Sequence, residues 1–201
     1  MGARMADTDP KTLDLLDLLA EAGQLKRVPR SGWTLAGIPQ PESVAEHVYR
    51  TAIVGHALAR LEGVDAGKVV LLLLYHDLPE ARLGDFHRIT SSYVDSKAAT
   101  EAVCRDLAEG PSEHRGEVSE LLEEHEARET PEAIVAKDAD LLECILQGRE
   151  YEAAGSPLAA EWWRDKRDAL RTDGARQLYD AIEAGWDPSA WRDGLKRPDR
   201  G

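Results

Sequence analysis

Val69 to Tyr75 is the most apolar run in the chain, and it leads directly into His76 and Asp77. Crossing a bilayer takes about 20 apolar residues, so this run predicts a helix buried on all sides within a globular core. An imidazole and a carboxylate at the end of such a helix carry a desolvation cost unless something pairs with them. A bound metal ion would pair with both. The plainer alternative is a solvated helix end, and the residues elsewhere in the chain decide between the two.

Helix signals recur from end to end. Leu13, Leu15, Leu16, Leu18 and Leu19 predict an amphipathic helix ending near Gly23, followed by a loop rich in glycine and proline. Ser43 precedes Glu46 by three residues, the capping-box spacing, so a helix starts there and carries His47 in its first turns. Asp65 caps the apolar helix, which is expected to continue past His76 towards Leu83 and to stop at Gly84. Further helices are expected near 96–109 and 113–128. Thr130-Pro131, Ser156-Pro157 and Asp187-Pro188 each place a capping side chain before a proline at the first helical position. No strand run, repeat or interdomain linker interrupts this pattern. The expected fold is all-α: a single-domain helical bundle over residues 11–186, with a flexible N-terminus at 1–10 and a polar tail at 187–201.

Acidic residues outnumber basic ones 38 to 25, a formal charge of −13 that argues against a nucleic-acid polymer as partner. One small phosphorylated substrate remains compatible, because a metal and the local cluster Lys26-Arg27-Val28-Pro29-Arg30 can handle it. The two cysteines, Cys104 and Cys144, fall inside helical patterns and form no disulfide framework. With no signal peptide, membrane span or myristoylation site expected, the cytoplasm is the expected compartment and no membrane partner is expected.

Glu80 lies four residues after His76 and three after Asp77, so on a helix all three project towards one volume, and Gly84-Asp85 follows at the turn. His47 comes from another helix, and a further carboxylate can come from Asp138 or Asp140. Two imidazoles and two carboxylates suit one divalent ion such as Co, Mn, Fe, Ni or Zn. Such a set leaves positions open for water and substrate, as catalytic sites do. The ion would lower the pKa of bound water towards ~7 and offset charge on a phosphoryl oxygen. Glu80 and Asp85 then remain for proton transfer. Along the last helix, Ile134, Val135, Leu142 and Ile145 define an apolar arc that includes Asp138, so periodicity alone favours Asp138 as the buried carboxylate.

The blocks Gln24 to Arg30, Gly32-Trp33, Pro41 to His47, Tyr75 to Glu80, Gly84-Asp85 and Asp140 to Gln147 carry a family resemblance. In this order they resemble the HD-domain metal-dependent phosphohydrolases, and more closely the bacterial 5′-deoxynucleotidases and their eukaryotic HD-domain-containing relatives. The resemblance implies a helical, usually dimeric enzyme that hydrolyses nucleoside 5′-monophosphates to nucleoside and phosphate. It implies that His47, His76, Asp77 and Asp140 hold the metal, with the register fixed on Asp140 by the downstream Glu150-Tyr151-Glu152. By the same resemblance Glu80 and Asp85 are needed for activity, and Trp33 lies beside the nucleotide sugar, where it would favour 2′-deoxy substrates. Bacterial members carry arginine just before the tryptophan. Gly32 stands there in this chain, as glycine does in the eukaryotic relatives, so Arg30 is expected to reach the phosphate. Three other readings remain. One is a phosphatase of a nucleotide-analogue intermediate, and one is a non-catalytic nucleotide-binding module. The third is a binuclear enzyme using His87, His114 or His125, whose spacings do not converge. Trp162, Trp163, Trp186 and Trp191 are expected to cover the bundle or a subunit contact.

Overall fold

The computed structural model describes residues 8–193 and Leu195, and among these residues there is no strand. In chain order the helices are α1 (Pro10–Ala22), α2 (Gly32–Leu35), α3 (Val44–Glu62), α4 (Ala66–Tyr75), α5 (Glu80–Leu83), α6 (Arg88–Ser91) and α7 (Ser96–Ala108). They continue with α8 (Glu113–Ala127), α9 (Pro131–Ala153), α10 (Ala160–Trp163), α11 (Asp173–Glu183) and α12 (Ala190–Asp193). One isolated antiparallel bridge, Pro29 with Ser43, pins the loop after α1 to the start of α3.

The caps explain where the helices begin. Ser43 and Glu46 form the expected reciprocal capping box at α3. Asp65 accepts from Gly67 and Lys68 at α4, and Thr130 caps α9 with Pro131 behind it. Ser156-Pro157 behaves differently: Pro157–Ala159 is a 3-10 turn, and Ser156 makes no capping bond.

The main core lies where α3, α4, α9 and α11 meet, through Leu58, Leu72, Leu73, Leu142, Ile145 and Tyr179. Burying each such side chain stabilises the fold by roughly 1.5–3 kcal/mol. Leu18, Leu107, Val118 and Leu122 join α1, α7 and α8 in a second cluster, which Leu78 also enters. Gly55 lets α3 and α4 come close, since a Cβ there would lie 2.1 Å from Leu73 Cδ1.

Two expectations need correction. Helix α4 is not buried on all sides, because Leu71 and Leu74 are 46% and 45% exposed on its outer face. Nor does it continue to Leu83: it ends at Tyr75, and α5 begins at Glu80. Pro79 is the reason, since it has no N–H for the carbonyl of Tyr75 four residues back and its ring would crowd that carbonyl. Tyr75 O accepts from Leu78 N instead, which tightens the chain around His76 and Asp77. At the N-terminus, Asp9 caps α1 and Pro10 is its first residue. Residues 1–7 lie outside the described residues. Of the expected polar tail, α12 forms a single turn, and residues 194 and 196–201 lie outside the described residues.

Candidate metal centre and active site

His47 enters the centre of the molecule from the second turn of α3 and has no solvent exposure. Its Nδ1 bonds to Glu143 of α9, which is itself fully buried. Its Nε2 points the other way, 3.2 Å from Asp140 Oδ1 and 3.6 Å from Asp77 Oδ2. His76 approaches the same point from the end of α4. Its Nδ1 lies 2.7 Å from the backbone oxygen of Leu73, an atom that can only accept, so Nδ1 carries the hydrogen. That leaves His76 Nε2 free, 3.2 Å from Asp77 Oδ2 and 3.8 Å from Asp140 Oδ1. An oxygen partner on the other ring nitrogen is the usual way a metal-binding imidazole is oriented.

Four atoms therefore face one point from three elements. His76 Nε2, Asp77 Oδ2 and Glu80 Oε2 are buried without a hydrogen-bond partner. Orphaned polar atoms cost about 1–3 kcal/mol each, and a divalent cation among them would satisfy the first two. His47, His76 and Asp77 are mutually close enough to share an ion, as are Glu42, His47 and Glu143. The second group is less suited, because Glu143 is already engaged by Arg50 through two nitrogens at 2.9 and 2.8 Å. His87 and His114 belong to neither group. The donor set is imidazole and carboxylate. Cys144 stands nearby, but burial pushes its thiol to about 12, so it stays protonated.

The electrostatics of the centre are tightly opposed. Burial and Arg30 both pull the His47 value down, and its bonds to Asp140 and Glu143 more than offset them, leaving about 10. Burial would raise Asp77, but His76, Arg30 and His47 outweigh it and hold the carboxyl below its usual range. Asp140 is likewise held well below that range, against burial, by Lys137 at 2.6 Å and by the two imidazoles. Glu80 goes the opposite way. Burial first, then Asp77 and Asp85, push it up to about 10.

Arg30 is placed by the loop pairing, with its N–H donating to Glu42 O at 2.9 Å. Its guanidinium reaches Asp77 at 3.6 Å and Asp85 at 3.5 Å. Ser31 ties Asp85 to this loop by donating from its N–H to the carboxylate and from Oγ to the Asp85 carbonyl at 2.8 Å. Trp33 is only 2% exposed, donates from Nε1 to Glu42 at 2.9 Å and packs against Tyr151 and Trp162. It still forms part of the wall of a cavity of about 160 Å³ lined by Arg30, Asp85, Phe86, Arg88 and Trp162. Its ring is thus a plug and a cavity wall at once.

The structure separates Asp138 from Asp140. Asp138 is buried, but its carboxylate accepts from the backbone N–H groups of Arg171 and Thr172 and from Thr172 Oγ1 at 2.7–3.1 Å. It caps the turn into α11 and faces away from the imidazoles. Sequence reasoning missed Glu143 and Arg50, the support behind His47. Asp140, Glu143, Gln147 and Glu150 fall at spacings of three, four and three, a polar arc on one face of α9 that could have revealed them. Trp162, expected to cover the bundle or a subunit contact, shares the cavity with Trp33.

Residues 22–173 match the HD domain family. The mouse 5′-deoxynucleotidase HDDC2 is 36% identical over 140 residues, covering 69% of this chain and 70% of the mouse protein. Among solved structures, a conserved hypothetical protein from Pyrococcus furiosus is 34% identical with a TM-score of 0.72, covering 84% of this chain and 97% of that one. A predicted metal-dependent phosphohydrolase from Magnetospirillum magnetotacticum is 25% identical with a TM-score of 0.70, covering 94% of this chain and 100% of that one. The chain belongs to the HD domain family, among relatives named 5′-deoxynucleotidases.

Proposed function

We propose that this chain is a metal-dependent 5′-nucleotidase that hydrolyses nucleoside 5′-monophosphates, 2′-deoxy ones included, to nucleoside and phosphate. The observation that carries the reading is the convergence of His47 Nε2, His76 Nε2, Asp77 Oδ2 and Asp140 Oδ1, two of them orphaned, on one buried point. These four residues would hold one divalent ion of the Co, Mn, Fe, Ni or Zn type. There it would act as a Lewis acid towards water and the phosphoryl oxygen.

The remaining roles follow from the chain itself. Arg30, at the mouth between Asp77 and Asp85, binds the phosphate. Trp33 and Trp162 hold the nucleoside in the cavity they line, and a 2′-hydroxyl set against their rings would lack a hydrogen-bond partner. Glu80, whose proton is retained by burial and by its acidic neighbours, donates to the departing 5′ oxygen. Asp85, fixed by Ser31, orients the attacking water against Arg30. A phosphate-release screen over ribo- and deoxynucleoside monophosphates, with divalent ions added back after chelation, tests this. The expected result is metal-restored release that is faster with deoxy substrates; no release from any monophosphate with any ion would overturn it.

Two further readings support experiments of their own. Leu71, Leu74, Tyr49 and Ile53 are exposed on the outer faces of α3 and α4, an apolar area suited to a second copy of the chain. Light scattering should then give a homodimer mass. The two unpaired cysteines fit a reducing cytoplasm, which localisation of a tagged chain would check. No described helix is long and apolar enough to cross a membrane.

A further inference from the structure

A second cavity, about 320 Å³, is lined by Asp140 and shares Arg30 and Cys144 with the Trp33 cavity. Ile134, Lys137, Asp138, Leu141 and Cys144 line it from one face of α9, and the ten residues from Ile134 to Cys144 span about 15 Å of that helix. That is longer than one phosphate group. Arg30 belongs to both cavities and so marks their junction. Beyond it the groove gathers three more cations, Lys137, Arg128 and Arg171, in a chain whose formal charge is −13.

Its two carboxylates are already engaged. Asp138 is saturated by Arg171 N–H, Thr172 N–H and Thr172 Oγ1. Asp140 faces Lys137 and His47. By contrast, the guanidinium groups of Arg128 and Arg171 have no hydrogen bond or ion pair within the described residues. Arg128 is also held at an unusual place. It ends α8 at φ 54, in the left-handed region, where glycine or asparagine is the low-cost residue. A long cation kept at a strained cap, pointing into a groove of like charge, marks a binding site for an anion.

We propose that this groove is a subsite for a second phosphate group, so that the chain binds nucleoside 5′-diphosphates as well as monophosphates. The nucleoside lies against Trp33 and the first phosphate at Arg30. The second phosphate lies along α9 between Lys137, Arg128 and Arg171. The order of these groups rests on the nucleotidase reading above, whereas the groove's affinity for a diphosphate anion does not.

Calorimetry on the metal-free protein tests the groove directly, with inorganic phosphate and pyrophosphate as probes. Pyrophosphate should bind at least about 10-fold more tightly, the worth of one charge-assisted contact. Arg128→Gly, which also relieves the backbone, and Arg171→Gln should each remove about 10-fold of pyrophosphate affinity and leave the thermal midpoint at or above that of the parent. Equal binding of the two anions, or variants that bind pyrophosphate like the parent, would overturn the subsite. With the metal-loaded enzyme, a deoxynucleoside 5′-diphosphate should compete with monophosphate hydrolysis at a Ki below the monophosphate KM. Both variants should raise that Ki about 10-fold while the monophosphate KM changes less than about twofold. A parallel rise in both constants would assign the cations to the reacting phosphate and overturn the proposal. Absence of monophosphate hydrolysis in the parent chain would sink the nucleotidase reading and leave the calorimetric result standing.

Discussion

Asp138 and Asp140 stand two residues apart on α9, and their surroundings could hardly differ more. Asp138 is the better buried, yet its charge is consumed by two backbone N–H groups and a hydroxyl at the start of α11. Asp140 keeps partial exposure and faces two imidazoles and a lysine. One carboxylate holds two helices together. The other is surrounded by two imidazoles and a lysine, as the proposed metal site would require. Depth of burial alone does not identify a functional group; what its oxygens already bond to does.

Substitutions can break this contrast, and the largest effect is expected at Asp140. Asp140→Asn should lose the metal and lower kcat/KM by more than the ~10–100-fold that outer-shell partners cost, as elemental analysis and initial rates would show. A variant with a full metal complement and near-normal rate would erase the distinction. Next comes Glu80→Gln, which should keep the metal and lose ~10²–10⁴-fold in kcat, since only its proton is removed.

Glu143→Gln tests the support behind His47. With the imidazole less firmly oriented, metal affinity should fall by roughly 10–100-fold in a chelator competition assay, and excess metal should restore much of the rate. The smallest change in metal chemistry is expected at Asp138. Asp138→Asn should leave metal content intact while lowering stability by roughly 2–3 kcal/mol, because a charge-accepting cap becomes a neutral amide. Denaturant unfolding would measure it. Metal loss from a folded Asp138→Asn chain would mean that the two carboxylates share one role.

Much of this was legible in the sequence, for identifiable reasons. The capping box at Ser43 and the Asp65 and Thr130 caps are local chemistry, so α3, α4 and α9 start where the residues say they should. The apolar arc of α9 correctly reported that Asp138 is buried, but it could not report that Asp138 bonds to Arg171 and Thr172, more than thirty residues away. The order of His47, His76-Asp77 and Asp140 carried the family likeness; the structure sets His47, His76 and Asp77 close enough to share an ion and Asp140 against both imidazoles. Pro79 was misread because helical spacing was extended through it. Glu80 still reaches the centre, but by a tight turn rather than by a shared helical face. The exposure of Leu71 and Leu74 was hidden because an apolar run does not say which side of a helix faces the core. Trp162 is a tertiary partner with no local signature.

Gly55 gives the centre a mechanical dimension. Leu73 fills the space where a side chain at 55 would stand, and the carbonyl of that same Leu73 holds the His76 ring. His47 sits two turns before Gly55 on the facing helix. The missing methyl group therefore works as a calliper setting, fixing how far apart the two imidazoles stand. Cations differ in the bond lengths and angles they accept. An ion held between them would thereby be gauged by a dry, apolar contact in the helix interface that never touches it.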